Sequence, residues 1–261
     1  MEGEVDMEIK IVIPTYKRAG MVLTHKIAPH AILSVARSEA PAYRALYPNV
    51  EIDEHPDDVA SMAMKRQFIY DRFGDVLMLD DDLSQVSRLY VASNKVRIQK
   101  MTPDEVYDLV QWAGNTAHSC GCYLFGFNKN PSPIIYRPWQ PIKLSGFVTG
   151  AAMGMLRGSR ISFNPLVSGS IEDFYASGIN AYYHRRAFID TRFCFVQEET
   201  FKRTGGMGAT RTMDDEKDGT LFLRRQFGNV ISMKEGMYGG GAKGAKTVNQ
   251  NPYGRTMTIP F

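Results

Sequence analysis

The stretch DVLMLDDDL, residues 75–83, decides the fold. Four apolar residues, Val76 to Leu79, run straight into Asp80, Asp81 and Asp82. A short unbroken apolar run reads as a strand buried on both faces. Strand side chains alternate in direction, so Asp80 and Asp82 leave the strand on one side. Two carboxylates held together repel each other unless a cation lies between them. A hard divalent ion, Mg²⁺ or Mn²⁺, is the fitting partner, because it keeps positions open for phosphate oxygens. The competing reading is a solvated acidic turn or a helix N-terminal cluster. The preceding strand favours the metal, since ligands of open α/β sheets bind beyond the carboxyl ends of strands.

Outward from that strand, the first half alternates strands and helices. KIVIP (Lys10 to Pro14) and AILSV (Ala31 to Val35) read as buried strands, with a weaker one at Val50 to Ile52. Helical spacing lies between them at Met21 to Pro29, Ala40 to Leu46 and Val59 to Phe73. Asp57 or Asp58 is placed to cap the third. Strands separated by such helices imply parallel pairing through right-handed crossovers. A further helix is expected from Thr102 to Ala117, where Thr102-Pro103-Asp104-Glu105 offers a cap, a first-turn proline and a capping-box glutamate. After Cys120 the apolar runs (123–127, 147–156, 188–196) are broken by Gly, Pro and Asn, with helices expected at Ile171 to Tyr183 and Met213 to Phe227. The expected fold class is α/β, a single domain over 1–235 built on a mixed central sheet. Residues 1–100 and 101–235 are expected to be its two halves, the second completing a pocket over the first.

Composition sets outer bounds. The chain has 261 residues, 44% hydrophobic and 23% charged, with a formal net charge of +3. These are globular values and exclude a disordered or fibrous chain. The charge is unevenly placed. From Gly236 to Phe261 the sequence has Lys243, Lys246 and Arg255 and no acid, which leaves 28 basic against 28 acidic residues before it. That glycine-rich end reads as a flexible basic tail. Cys120, Cys122 and Cys194 are too few for a disulfide framework and lack zinc-site spacing, so they read as reduced structural thiols. The acidic start has no signal-peptide core and no apolar run spans a bilayer, so a cytoplasmic protein without a membrane partner is expected.

Two more segments carry candidate chemistry. Pro14-Thr15-Tyr16-Lys17-Arg18 follows the first strand at a ligand-binding edge. There Thr15 can bond a ribose or base, Tyr16 can stack, and Arg18 can meet phosphate; an ordinary turn is the alternative. Arg66 shares a helix face with Met62, Ile69 and Phe73, so it points inward. A buried Arg needs a partner, either Asp80 or a ligand anion. The histidines (His25, His30, His55, His118, His184) show no metal-ligand spacing.

Taken together, KIVIPTYKR, SMAMKRQ and DVLMLDDDL resemble the nucleotide-sugar glycosyltransferases of the GT-A fold, with DDD as the DxD motif. The resemblance implies a nucleotide-diphosphate-sugar donor, most simply a UDP-sugar. It implies donor contacts from Pro14, Thr15, Tyr16, Arg18, Arg66, Asp80 and Asp81, and a Mn²⁺ or Mg²⁺ ion on Asp80 and Asp82. The acidic pair that members often carry beyond the second strand is replaced by Ser38-Glu39, leaving Glu39 as the nearest donor-binding acid. Inverting members often open an acceptor-side helix with Glu-Asp. Here Glu172-Asp173 matches, making Asp173 the candidate general base and Glu172 its neighbour. The alternative is a helix whose acidic first turn suits its dipole, capped by Ser170. Cationic closure over the diphosphate falls to Lys243, Lys246 and Arg255, with Arg203, Arg211 and the segment 204–208 as rivals. No His follows His184, so the late metal-binding His of some members is missing.

More narrowly, LSVARSEAPAY, VEIDEHPDD and MKRQFIYDRFGDVLMLDDDL look like the bacteriophage TET-associated glycosyltransferases. That resemblance implies transfer of a sugar to a hydroxymethylated pyrimidine, such as hydroxymethylcytosine, in phage DNA within the host cytoplasm. Three rivals stay open: transfer to a glycan, lipid or protein, a nucleotidyltransferase, and a non-enzymatic DNA-binding module. The nucleotidyltransferase reading lacks a glycine-rich loop after the first strand. The binding-module reading lacks a recognition motif.

Overall fold

Strand β1 (Lys10–Pro14) lies at the centre of an eight-stranded sheet and shows why this sequence needs two covering layers. Its Ile11 and Ile13 face one apolar cluster, and Val12 faces the other. The computed structural model describes residues 7–91, 99–164, 171–197, 212–233 and 253–259. From β1 the chain moves outward through β2 (Ile32–Ala36), helix α1 (Ala40–Leu46) and β3 (Ile52–His55). It returns through α2 (Met62–Phe73) to β4 (Val76–Leu79), which pairs with the other side of β1. Strands β3, β2, β1 and β4 are all parallel, so chain direction reverses its lateral progress between β1 and β4. Such a switch point opens a crevice at the carboxyl ends of its two strands. Leu77 and Leu79 of β4 pack on the first cluster, and Val76 and Met78 on the second, as a strand buried on both faces requires.

The second half completes the same sheet. After β5 (Leu83–Arg88), β6 (Gln99–Lys100) and α3 (Pro103–Ser119) come β7 (Leu124–Phe127), β8 (Ile142–Lys143) and β9 (Ala152–Met155). Helix α4 (Glu172–Tyr183) is followed by β10 (Phe188–Asp190) and β11 (Phe193–Gln197). The full order is β3-β2-β1-β4-β9-β7-β10-β8. Strand β9 runs antiparallel to both β4 and β7, making the sheet mixed and GT-A-like, as expected. Gly154 in β9 lets Phe125 of β7 lie flat across it, since a Cβ there would stand 2.1 Å from the ring. A smaller sheet, β11-β5-β6, extends from the acidic turn. Helix α5 (Met213–Phe227) packs near a two-stranded ribbon of β12 (Ile231–Met233) and β13 (Arg255–Met257). Burial pushes the Cys122 and Cys194 thiols up to about 11 and about 12, so they act as core groups. No helix among the described residues is long and apolar enough to cross a membrane.

Four expectations need correction. The helix expected from Met21 to Pro29 is a single 3₁₀ turn, Thr24–Lys26, because Thr24 is taken up by the acidic turn. Helix α2 begins at Ser61, whose hydroxyl accepts the Met64 N–H at 3.2 Å. Asp57 instead accepts from the backbone and hydroxyl of Ser38. The third strand starts at Ile52. Finally, the expected tail includes β13, and Arg255 is 8% exposed. Its guanidinium donates to Thr220 at 2.8 Å and pairs with Glu216 at 3.3 Å on α5. Part of that end is therefore folded back, because a carboxylate and hydroxyl inside α5 receive its cation.

Candidate active site

The acidic turn is fixed from its backbone outward. Asp80 N–H donates to Ala151 C=O at 3.1 Å. Thr24 donates its hydroxyl to Asp80 C=O at 2.6 Å and accepts Leu83 N–H at 2.9 Å. Leu23 N–H reaches Asp81 C=O at 2.8 Å. With the backbone tied on three sides, the side chains are aimed by position. Asp81 turns inward to Thr15, whose hydroxyl donates to it at 2.7 Å, and to the Arg18 guanidinium. Tyr43 then donates to Thr15 and accepts Arg18 N–H, each at 3.1 Å. Asp80 and Asp82 converge on one amide group, and Asp82 also lies 3.7 Å from the Arg18 guanidinium. Gln197 Nε2 donates to Asp80 at 2.9 Å and to Asp82 at 3.3 Å. The two carboxylates meet as expected, but residues 80–82 form a turn between β4 and β5, so the turn and not strand alternation brings them together.

Arg66, 1% exposed, joins the turn to the second half. Its Nη2 donates to Asp80 at 3.2 Å and to Gly150 C=O at 2.9 Å, and its Nε lies 3.5 Å from Glu172. Gly150 N–H donates to Asp173 Oδ2 at 3.1 Å, and Phe174 N–H donates to Oδ1 at 2.8 Å. A Cβ on Gly150 would stand 3.0 Å from Arg66 Nη2 and 3.6 Å from Asp173 Oδ2. A side chain there would press on the guanidinium and touch the carboxylate that close on the same backbone unit. Arg66 and Gly150 thus link Asp80 to Glu172 and Asp173, although some 90 residues separate the two acidic pairs.

On its other flank, Glu39 accepts Lys17 N–H at 2.8 Å. That bond supports a left-handed Lys17 (φ 52°), an uncommon conformation for a residue with a side chain. The kink leaves Tyr16 half-buried between Lys17 (5.0 Å) and Lys65 (4.7 Å). Lys65 is buried and donates to Thr15 C=O at 3.1 Å. Pro14 ends β1 beneath this loop. Thr15 itself is 2% exposed and committed to Asp81, so it holds the turn and offers no surface to a ribose.

Charge is concentrated here. Burial pushes Asp80 up to about 7, with Asp82, Glu172 and Asp81 adding to the effect and Arg66 opposing it. Burial and Asp81 raise Asp82. Burial, then Glu172, pushes Asp173 up to about 6, against the N–H groups of Gly150 and Phe174. Burial also lowers Lys65 to about 8. Among the described residues no group of three His, Cys, Asp or Glu side chains is placed to hold a metal ion. Two carboxylates around one amide donor are a donor pair that a hard divalent ion with open positions would accept.

Several expected contributors lie elsewhere. Arg255 is brought near the acceptor side, 5.3 Å over the Phe174 ring, but bound to α5. Lys243, Lys246, Arg203, Arg211, the segment 204–208 and Ser170 are outside the described residues. Sequence reading missed Gln197, Gly150, Tyr43 and Lys65. Gln197 carried one weak signal, a polar residue closing the apolar run FCFV. Shallow surface depressions near Met7, Tyr107 and Trp112 lie away from the acidic turn and carry none of these groups.

The sequence profile of a family described as TET-Associated Glycosyltransferase matches residues 9–206. No curated protein matches the chain. Among solved structures, the CMP:2-keto-3-deoxy-manno-octonic acid synthetase complexed with CTP is similar at 13% identity and a TM-score of 0.36, covering 84% of this chain and 100% of that one.

Proposed function

The chain belongs to the TET-associated glycosyltransferase family, and from that premise we propose that it moves a sugar from a nucleotide-diphosphate sugar, such as a UDP-sugar, to the hydroxymethyl group of a modified pyrimidine in DNA. The observation that carries this reading is the convergence of Asp80 and Asp82 on one point, with Asp173 linked to them through Arg66 and Gly150. Asp80 and Asp82 would hold Mn²⁺ or Mg²⁺. When bound, such an ion neutralises the charge that builds on a departing diphosphate.

The remaining work falls to the chain itself. Thr15 and Arg18 lock Asp81, which keeps the two neighbouring carboxylates facing the cleft. Tyr16, held by the Glu39-supported kink between Lys17 and Lys65, lines the donor side with its half-exposed ring. Asp173 removes the proton from the acceptor hydroxyl as that oxygen attacks the anomeric carbon, for a transfer with inversion. Two backbone N–H groups fix its carboxylate, and its raised pKa makes it a stronger base than a solvated aspartate.

The test offers labelled nucleotide sugars to hydroxymethylated DNA, plain DNA and simple glycans, with and without Mn²⁺ or Mg²⁺, and reads products by mass spectrometry. Sugar on hydroxymethylated DNA alone, dependent on the ion, is expected. Transfer to glycans with none to DNA would replace the acceptor in this reading. Full transfer in the presence of a chelator would remove the ion.

A further inference from the structure

The stretch between Asp108 and Glu172 contains no Asp or Glu, yet it carries Lys129, Arg137, Lys143, Arg157 and Arg160. Three of these cations lie on one excursion, residues 128–146, between β7 and the approach to β9. The same excursion presents four large apolar side chains to water, Ile134 and Trp139 the most, at 88% and 80% exposure, with Ile135 and Leu144 less so. Isolated exposed apolar residues are ordinary, but a basic loop tipped with a bare tryptophan and isoleucine is not.

Its construction is stiff where it matters. Pro131, Pro133, Pro138 and Pro141 fix backbone angles along it. Its two stems are joined through Thr191, which donates its hydroxyl to Gln140 C=O and Pro141 C=O at 2.9 Å and accepts from Asn128 at 3.1 Å. The tip is therefore held away from the core. The loop also borders the site. Lys129 Nζ lies 5.8 Å over the Phe147 ring, and Phe147 packs on Phe174 at 4.6 Å. Phe174 in turn donates its N–H to Asp173.

We propose that residues 128–146 form a duplex-DNA docking loop, in which Lys129, Arg137 and Lys143 contact backbone phosphates and Ile134 and Trp139 wedge into the base stack beside the target base. This rests on the DNA-acceptor reading above. Three cations without an intervening acid match a polyanion. An inserted apolar wedge unstacks a base step and eases extrusion of the base that must reach Asp173. A second copy of the chain fits poorly, because a two-fold contact would set this cationic patch against itself.

The probe is a short fluorescent duplex, unmodified, carrying 2-aminopurine at one position. Affinity is measured against salt for the wild-type chain, for K129A/R137A/K143A and for I134S/W139S, with light scattering alongside. All five positions are exposed, and thermal unfolding checks that each variant folds. The triple variant should lose at least about tenfold in affinity and reduce the salt slope by roughly 2 to 3. The I134S/W139S variant should lose about tenfold with little change of slope, and should lose the 2-aminopurine signal that reports unstacking. Tight wild-type binding with both variants unchanged overturns the loop and leaves the DNA acceptor standing. No wild-type binding, together with no sugar transfer to hydroxymethylated DNA, overturns both. Variants that change only the oligomeric state would make the loop a self-association surface and also overturn the proposal.

Discussion

Replacing Arg66 by Leu would leave Asp80 and Glu172 facing each other with no guanidinium between them. Removing one partner of a buried ion pair costs about 3–5 kcal/mol, so Arg66→Leu should lower unfolding free energy by that order in denaturant melts near neutral pH. Asp173→Asn keeps the size of the side chain and one of its two backbone hydrogen bonds, since its amide nitrogen cannot accept, and it cannot take a proton. It should bind donor normally by calorimetry and lose transfer by at least about a hundredfold. Asp173 must be ionised to act, and its pKa is pushed up to about 6. The wild-type rate should therefore fall as pH drops through about 6 and level off above it; a rate that stays flat through that range would exclude this base. At this scale the sequence was informative where chemistry follows local pattern. The inward face of Arg66 follows from the helix period, whereas Asp80 and Asp82 meet through a turn beyond the end of β4. Gln197 and Gly150 were not legible, since each acquires its role from residues more than 80 positions away.

At the scale of elements, the turn and helix grammar decided some boundaries and failed at others. Thr102 and Glu105 form the expected capping box of α3, because both partners lie within one turn. Met21 to Pro29 has helical spacing, yet the fold uses Thr24 to tie the acidic turn, and that tertiary demand outweighs propensity. Arg255 was read as part of a loose end, but Glu216 and Thr220 draw it onto α5. The clearest test of an element concerns the contact of β9 with β7. Gly154→Ala would place a methyl 2.1–2.4 Å from the Phe125 ring. It should cost about 1–3 kcal/mol by overpacking, read as a lower unfolding midpoint. Wild-type stability would mean that β9 and β7 pack differently.

For the whole molecule, topology explains why the site is where it is. The sheet changes direction between β1 and β4, and both candidate loops, 15–18 and 80–82, leave the carboxyl ends of those two strands. The price is a crowded, buried group of acids. The folded pKa of Asp80 is about 7 against an unfolded value of 3.8. The folded state thus binds more protons between those values, so this carboxyl makes stability fall as pH rises through that window. A divalent ion at the site reverses the cost once Asp80 is ionised. Mn²⁺ should raise the thermal midpoint clearly above about pH 7 and little near pH 5; an equal shift at both would place the ion elsewhere.

The central claim is that this acidic turn serves sugar transfer to a modified base. It is tested most directly by intact-mass analysis of hydroxymethylated duplex DNA after incubation with a nucleotide sugar, Mn²⁺ and either wild-type protein or Asp82→Ala. A mass gain of one sugar per modified base with wild type, and none with the folded variant, is the predicted result. Equal gain with both proteins, or gain with neither, would contradict it.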